Sequence, residues 1–269
     1  METHTIDGSD GTELSVAETG DGRPILLVHG YSQSRLCWQK QFDSELAEEF
    51  RLVAPDLSGH GQSGKPRDSY DETKLWADDL RAVITELDLD DIVLVGWSYA
   101  GLIVLDYVEH YGTDRLSKIS LAGAIASIGT ESANSRLGDG YVELVPGFVS
   151  EDVEESVETM SAFVELCVNE ELSLEDHYFM LGYNVDVPPH VRDSLRARAT
   201  AHEGELEEID VPVLLTHGQA DAVILPKASE EYADILDDAE LSRYPDIGHS
   251  PFWEAPERFN RELAEFARK

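Results

Sequence analysis

The chain contains several short, almost purely apolar segments that alternate with longer segments of helical periodicity. "PILLV", "DIVLV" and "VPVLL" are three of the apolar segments, and a glycine follows each within three residues. Uninterrupted apolar strands are typical of parallel sheets that are buried on both faces, whereas half-exposed strands alternate polar and apolar residues. The alternation of such strands with helices therefore predicts an α/β fold, with a mostly parallel central sheet and helices on both faces.

The alternation stops between residues 127 and 208, where the sequence is mostly helical and strongly acidic. Its clearest amphipathic piece is "VSEDVEESVETMSAFVELCVNEEL", and "SLEDHYFML" opens with a Ser-x-x-Asp capping pattern. Strand and helix alternate again from "VPVLLTHG" onward. We therefore predict a core made of residues 1–126 and 209–269, with residues 127–208 inserted as a helical lid. The first twenty residues predict a β-hairpin.

Polar motifs follow four of the predicted strands, at His29-Gly30, Ser98, Asp221 and His249. Ligands of open parallel sheets bind at the carboxyl ends of the strands, so we expect these residues to lie close together. A serine hydroxyl attacks a carbonyl only when a base, usually histidine, takes its proton, and a carboxylate orients that histidine. The set therefore favours nucleophilic acyl transfer.

Ser98 lies in "VGWSYAGL", between an apolar strand and a helical segment. Gly96 and Ala100 on either side allow a sharp turn around the hydroxyl. Taken alone, the segment is equally compatible with a simple helix cap. Loop residues such as Asp221 and His249 are likewise often turn formers or surface groups. The order of the three residues and their places at strand ends favour a catalytic set.

In this order, the three residues resemble the catalytic triad of the α/β-hydrolase superfamily, in its serine-nucleophile, esterase-like branch with a helical lid. "LLVHGYSQS" resembles the oxyanion loop of that family, "APDLSGHGQSGKP" the loop after the next strand, and "GHSPFWEAPERFN" the histidine segment. The resemblance covers nearly the whole chain outside the lid. It implies the α/β-hydrolase fold, with Ser98 as nucleophile, His249 as base and Asp221 as the acid that orients it.

The resemblance also implies an oxyanion hole. Its donors would be the backbone N–H groups of Tyr31 and Tyr99, and His29 and Gly30 would shape the loop that carries Tyr31. His217 is expected to pack at a strand end. Aromatic residues expected to line an apolar substrate pocket, unless they only pack the lid, are Trp97, Phe148, Phe163, Tyr178, Phe179 and Tyr183.

The predicted function is hydrolysis of a carboxylic ester or related acyl substrate through an acyl-enzyme, with no cofactor and no metal. Perhydrolase or cofactor-free haloperoxidase activity, lactone or amide hydrolysis, and carbon–carbon bond hydrolysis use the same triad and stay open. A hydrolase-like receptor for a small ligand is the alternative from another class. Haloalkane dehalogenases and epoxide hydrolases of this fold use an aspartate as nucleophile, so Ser98 argues against both. The sequence predicts neither the natural substrate nor the oligomeric state.

Acidic residues outnumber basic ones by 55 to 20, giving a formal net charge of −35. Such a surface repels nucleic acids and anionic membranes, so we expect a small-molecule substrate and neither of those partners. An acidic coat spread along the whole chain also predicts a salt-adapted, halophilic protein. Structure and activity should then fail below about 0.1 M salt, where charge repulsion extends to roughly 10 Å. Circular dichroism and activity measured across a salt titration check this. A protein that keeps its structure and activity when the salt concentration is lowered would contradict it.

Cys37 and Cys167 lie far apart and outside any ligand-like spacing, which predicts two buried free thiols and neither a disulfide nor a zinc site. The N-terminal residues show no basic start and no apolar stretch of a secretory signal. The longest uncharged run, residues 92–105, is shorter than the roughly 20 residues that a membrane-spanning helix needs. These features predict a cytoplasmic protein.

Overall fold

The structure, a computed structural model, describes residues 1–68 and 70–269. Its strands are, in chain order, β1 (Glu2–Asp7), β2 (Glu13–Thr19), β3 (Pro24–Val28), β4 (Arg51–Pro55), β5 (Ile92–Trp97), β6 (Leu116–Ala122), β7 (Ser127–Ile128), β8 (Thr200–Ala201), β9 (Val213–Gly218) and β10 (Ala239–Tyr244). Its α-helices are α1 (Gln39–Phe42), α2 (Leu46–Glu49), α3 (Thr73–Glu86), α4 (Ala100–Tyr111), α5 (Glu131–Ser135), α6 (Asp139–Phe148), α7 (Val153–Leu166), α8 (Leu174–Val185), α9 (Pro189–Ala197), α10 (Glu203–Glu207), α11 (Lys227–Ile235), α12 (Pro251–Glu254) and α13 (Pro256–Arg268).

One large sheet has the strand order β1-β2-β4-β3-β5-β6-β9-β10. The pairs β1–β2 and β2–β4 are antiparallel, and the remaining pairs are parallel. Every residue of β3 and of β5 is buried, as expected for strands that are covered on both faces. The predicted α/β fold with a mostly parallel sheet is confirmed, and so is the predicted N-terminal hairpin.

Helices cover both faces of this sheet. Successive side chains of a strand point to opposite faces, and in β3 Leu26 belongs to one apolar cluster while its neighbour Leu27 belongs to another. The first cluster includes residues of α3 and α4, such as Leu80 and Leu102, whereas the second includes residues of α13, such as Phe259. The two clusters together form the core that fixes the strand ends at which the polar motifs lie.

The segment "CWQKQFDSELAEEF" has a helical pattern in the sequence, which predicts helical structure there, but the structure interrupts it. Instead of one helix it forms a 3-10 turn at Arg35–Trp38, then α1, a break, and α2. Ser44 lies in the break, where its hydroxyl donates to the carbonyl of Gln41 at 2.8 Å and accepts from the N–H of Leu46 at 3.2 Å. A serine that bonds the backbone in this way offers it an alternative to helical hydrogen bonds, so the predicted helical segment is interrupted at this point.

The helices α5–α10 all lie between β6 and β9, and the short antiparallel pair β7–β8 joins the two ends of this insertion. Ser173 accepts from the N–H of Asp176 at 3.1 Å, which confirms the predicted cap of α8. Helix α9 lies against the core: the hydroxyl of Tyr31 donates to the carbonyl of Arg192 at 3.2 Å, and that of Tyr99 to the carbonyl of Leu195 at 2.9 Å. The role of the insertion as a lid stays a prediction.

Cys37 and Cys167 are both buried and free, as predicted. In the described ranges, no helix combines the length and the apolar character that crossing a bilayer requires.

Candidate active site

Ser98 lies on a sharp, strained turn between β5 and α4. Its φ is +57°, in the left-handed region that residues other than glycine rarely adopt. A Cβ on Gly96 would approach Cγ2 of Val104 to 2.9 Å, so a side chain there would collide with the helix that follows the turn. The carbonyl of Ser98 accepts from the N–H groups of Gly101 and Ile125 at 3.0 and 3.1 Å. The local sequence thus forces the serine onto the kind of turn that carries nucleophiles in strand–turn–helix motifs.

Asp221 and His249 form a buried hydrogen-bonded pair. Nδ1 of His249 donates to Oδ2 of Asp221 at 2.7 Å, while Oδ1 accepts from the backbone N–H groups of Val223 and Ile224 at 2.8 and 2.9 Å. Burial alone raises the pKa of Asp221, but the neighbouring His249 and the hydrogen bonds from His217 and His249 hold that pKa at about 2. The ionised carboxylate fixes the proton of His249 on Nδ1 and leaves Nε2 as the basic nitrogen. Nε2 is buried and has no hydrogen-bond partner among the described residues.

One contact connects the serine turn to this pair, and a close approach brings the backbone after β6 beside it. Nε1 of Trp97, the residue before Ser98, donates to the carbonyl of His249 at 2.9 Å. A Cβ on Gly123, directly after β6, would lie 3.1 Å from Nδ1 of His249 and 3.3 Å from Oδ2 of Asp221. The backbone beyond β6 therefore passes close beside the acid–histidine pair. The structure brings the ends of β5, β6 and β9, and the loop of His249, to one edge of the sheet.

The loop after β3 packs directly on the serine. A Cβ on Gly30 would lie 2.9 Å from Cβ of Ser98, so only glycine allows this approach. His29 donates from Nδ1 to the carbonyl of Gly30 at 2.9 Å and accepts at Nε2 from the N–H of Leu57 at 3.0 Å. Burial lowers the pKa of His29 to about 4, so its ring is neutral near pH 7 and serves as a bridge between two loops.

The backbone N–H groups of Tyr31 and Tyr99 are the predicted oxyanion donors. Within residues 1–68 and 70–269, neither N–H donates to another group of the protein. Both residues line the same cavity as Ser98. Both N–H groups are therefore free to donate a hydrogen bond to an oxygen of a bound ligand. Their role as oxyanion donors stays a prediction.

His217 makes a contact that the sequence analysis did not predict. Its Nε2 lies 3.1 Å from Oδ2 of Asp221 and 2.9 Å from the carbonyl of Ile224, and its Nδ1 lies 2.6 Å from Oγ of Ser229. The ring therefore donates from Nε2 and accepts from the serine hydroxyl. It packs at a strand end as expected, and it also helps to hold the carboxylate of Asp221. The only signal in the sequence is its place four residues before Asp221.

Two buried, neutral histidines make the fold sensitive to acid. Burial lowers the pKa of His29 to about 4, and burial together with the neighbouring His29 lowers that of His60 to about 3. Unfolded histidine binds its proton near pH 6.5. Between pH 6.5 and these values the unfolded chain binds more protons than the folded chain, so stability falls as pH falls.

We expect these two histidines to lower the free energy of unfolding by about 3 to 5 kcal/mol between pH 7 and pH 4.5, as measured by urea denaturation. His60→Gln removes one of the two groups and should weaken this dependence; equal pH slopes in both proteins would contradict it.

Ser98 lines a narrow, mostly apolar cavity, named here the Ser98 cavity. Its other lining residues are Tyr31, Tyr99, Ile125, Ile128, Leu137, Tyr141, Phe163, Arg196, Val223 and Ile224. Of the six aromatic residues predicted for the pocket, Phe163 therefore lies on the cavity wall. Phe148 lies behind the wall, with its ring centroid 5.5 Å from that of Tyr31 and 5.2 Å from that of Phe163.

A second small cavity lies beside the histidine. It is lined by Gln33, Trp97, Val164, Cys167, Met180, Tyr183, Asn184, Ser250 and Phe252. Two of the predicted pocket residues, Trp97 and Tyr183, belong to it. Because Ser250 directly follows His249, this cavity lies on the histidine side of the site.

The structure places Tyr178 and Phe179 away from both cavities. Tyr178 is 64% exposed, and Phe179 stacks on Trp253 at a centroid distance of 5.9 Å. Helical spacing explains this, since α8 buries Met180, Tyr183 and Asn184 on one face and turns residue 178 toward solvent. The prediction that these two residues line the pocket is wrong.

A group of possible metal ligands lies elsewhere. In the described part of the chain, the one such group is formed by Asp106, Glu109 and His202. Nη2 of Arg198 donates to both carboxylate oxygens of Asp106 at 2.8 Å, and both side chains are fully buried. A guanidinium therefore already neutralises this carboxylate, and the residues present do not fit a metal ion. The ion pair instead fastens the end of the insertion to α4.

Comparison with known proteins places the chain in a family. The family model described as the alpha/beta hydrolase fold matches residues 23–256. The chain belongs to the α/β-hydrolase family. Its structure is similar to that of the esterase RhEst1 from Rhodococcus sp. ECU1013, with a TM-score of 0.96 and 34% sequence identity over 100% of this chain and 99% of that one.

Two relatives extend the comparison. The chain is 29% identical to the non-heme chloroperoxidase CPO-A1 of Kitasatospora aureofaciens, over 97% of this chain and 98% of that protein. It is 27% identical to the bifunctional esterase/perhydrolase DCH of Acinetobacter calcoaceticus, over 96% of this chain and 97% of that protein. This α/β-hydrolase family member is an enzyme, and the resemblance noted in the sequence is confirmed at the level of family and fold.

Proposed function

We propose that this enzyme hydrolyses carboxylic esters, with Ser98 as nucleophile, His249 as general base and Asp221 as the acid that orients the histidine. The observation that carries the proposal is the 2.7 Å bond between His249 and the ionised Asp221, at the sheet edge where Ser98 lies on its strained turn. The likeness to an esterase of 34% identity supports the ester as the substrate class.

The steps of the reaction follow from the proton on Nδ1 of His249 and the negative charge of Asp221. Nε2 of His249 takes the proton of Ser98 as the serine oxygen bonds to the carbonyl carbon of the ester. The negative oxygen that forms accepts hydrogen bonds from the N–H groups of Tyr31 and Tyr99, and the N-terminus of α4 adds a partial positive charge. The ester bond to the alcohol then breaks, and the alcohol leaves with the proton of His249. Water repeats the sequence on the acyl-enzyme and releases the acid.

The pKa of Asp221 matters at the moment when His249 carries two protons. With its pKa held at about 2, Asp221 stays ionised at neutral pH and stabilises the imidazolium next to it. Asp221 does not need to take the proton itself.

Multiple turnover separates an esterase from a hydrolase-like receptor. With p-nitrophenyl butyrate in excess, the proposal predicts release of many equivalents of p-nitrophenol per enzyme, at a rate that depends on Ser98. Release of a single equivalent followed by a stop would indicate a receptor that is acylated once, and it would overturn the proposal.

Perhydrolysis is a second candidate function because of the names that two relatives carry. One is named a non-heme chloroperoxidase and another a bifunctional esterase/perhydrolase. In this reaction hydrogen peroxide replaces water, attacks the acyl-enzyme and leaves as a peroxy acid, while Ser98 regains its proton from His249. A peroxy acid that forms from an ester and hydrogen peroxide with the wild type, but not with Ser98→Ala, would support it. Hydrolysis alone at high peroxide would exclude it.

A further inference from the structure

The mostly apolar Ser98 cavity carries a charge at one position among the described residues. Of the described residues that line it, Arg196 alone carries a charge, and it comes from α9 of the insertion. Nη1 of Arg196 donates to the hydroxyl of Tyr141 at 3.2 Å, and Tyr141 also lines the cavity. A guanidinium has five N–H donors, and this contact uses one of them.

In residues 1–68 and 70–269, Arg196 has no counter-ion, since no carboxylate oxygen there lies within 4.0 Å of its guanidinium. Acidic residues outnumber basic ones by 55 to 20 in this chain, so carboxylates were available to pair with it. The remaining donors of its planar fork suit a carboxylate, which a guanidinium binds through two parallel hydrogen bonds.

A second arginine on the same helix also lacks a counter-ion in the part of the chain that the structure describes. Arg192, one turn before Arg196, is 1% exposed, and its Nη2 donates to Oγ of Ser156 at 2.9 Å. Its Nε and Nη1 are buried and have no partner among the described residues. A buried charge without an opposite charge is costly. The backbone carbonyl of Arg192 accepts from the hydroxyl of Tyr31, which places α9, the helix of both arginines, next to the Ser98 cavity.

The position of the histidine decides which part of an ester the Ser98 cavity would take. His249 gives its proton to the leaving alcohol, so the alcohol must lie on the histidine side. The second cavity, with Trp97 and Ser250 in its wall, is on that side. The Ser98 cavity, with Tyr31 and Tyr99 in its wall, is left for the acyl group.

We infer that the acyl group of the preferred ester carries a carboxylate that binds Arg196. The substrate class is therefore the monoester of a linear dicarboxylic acid, with its methylene chain against the apolar wall. This inference rests on the proposed function, because it assumes that Ser98 attacks the ester carbonyl.

The test compares anionic esters with neutral esters of the same length. The anionic esters are the monoethyl esters of succinate, glutarate and adipate, and the neutral ones are ethyl butanoate, pentanoate and hexanoate, which have a methyl group in place of the carboxylate. Arg196→Gln should lower kcat/KM for the monoesters about 10- to 100-fold more than for the neutral esters, the range expected for loss of hydrogen bonds to a charged group. All rates are measured at one ionic strength, since salt screens the charge.

Two further variants keep the test specific. Arg196→Lys keeps the charge but loses the planar fork, so it should retain only part of the preference for the monoesters. Arg261→Gln makes the same change at an exposed position of α13 and should leave both series unchanged. Equal losses in both series with Arg196→Gln would overturn the inference. So would an Arg196-dependent preference for butanoate esters of hydroxy acids, because the carboxylate would then be on the alcohol.

A binding measurement separates this inference from the proposed function. Calorimetry with Ser98→Ala protein and monoethyl glutarate should show binding that is weakened by an added Arg196→Gln change. Such binding without turnover by the wild type would support the carboxylate site and contradict the esterase proposal. Ser98-dependent turnover of neutral esters without a role for Arg196 would support the esterase proposal and reject the carboxylate site.

Discussion

Ser98→Ala is expected to lower kcat for ester hydrolysis by on the order of 10⁵- to 10⁶-fold, with little change in structure. The loss is this large because the three residues act as a unit, so the histidine and the oxyanion donors achieve little without the serine oxygen. The backbone contacts of the turn do not involve the serine side chain, since the N–H of Ser98 donates to the carbonyl of Ala122 at 3.0 Å and its carbonyl accepts from Gly101. Steady-state kinetics with p-nitrophenyl butyrate, together with a thermal unfolding curve, check both parts.

Ser120→Ala is the matched control for this change. Ser120 is a fully buried serine on β6, next to the strand that carries the turn, and its hydroxyl has no partner among the described residues. Its removal should leave kcat unchanged. If the Ser98 variant kept the wild-type rate while folding normally, Ser98 would not be the nucleophile.

Asp221→Asn is expected to lower kcat by on the order of 10⁴-fold. The surrounding hydrogen bonds explain the size of the loss. The amide oxygen of asparagine would take the place of Oδ1, because the N–H groups of Val223 and Ile224 require an acceptor there. The NH₂ group would then face Nδ1 of His249 and Nε2 of His217, where the carboxylate now accepts. His249 would have to accept at Nδ1 and carry its proton on Nε2, so it could not take the serine proton.

The same substitution at an exposed position, Asp237→Asn, is the control and should leave the rate unchanged. Near-normal turnover of Asp221→Asn would mean that another acid orients His249. Strand β6 lies next to β9, and the sequence "SLAGAIAS" at its end offers no carboxylate. Proton NMR of the Nδ1–H of His249 provides a second reading, because its signal should disappear from the low-field region in the variant.

The sheet and the order of its polar motifs could be predicted because they depend on local sequence. The continuous apolar residues of β3 and β5 predict that both faces of these strands are buried, and they are. The turn at Ser98 follows from the small residues around it, since Gly96 leaves no room for a side chain. Strand ends of a parallel sheet share one edge, so the ends of β5 and β9 had to bring Ser98 and Asp221 to the same side.

The Ser98 cavity could not be predicted in this way, because it depends on how the insertion packs on the core. Helical spacing alone does not tell which face of α8 is buried, and Tyr178 lies on the exposed face. The positions of the Arg196 and His217 side chains likewise depend on contacts that local sequence does not show, namely those with Tyr141 and Ser229. The break at Ser44 was missed for a different reason, since a side chain there competes for backbone hydrogen bonds.

Covalent labelling tests the central claim most directly. A fluorophosphonate reacts with an activated serine that has a working base and oxyanion donors beside it. Intact-mass and peptide mass spectrometry of the labelled wild-type protein should show one adduct, located on Ser98, and His249→Ala should slow its formation strongly. An adduct on a different residue, or no adduct on folded protein that hydrolyses esters, would contradict the account.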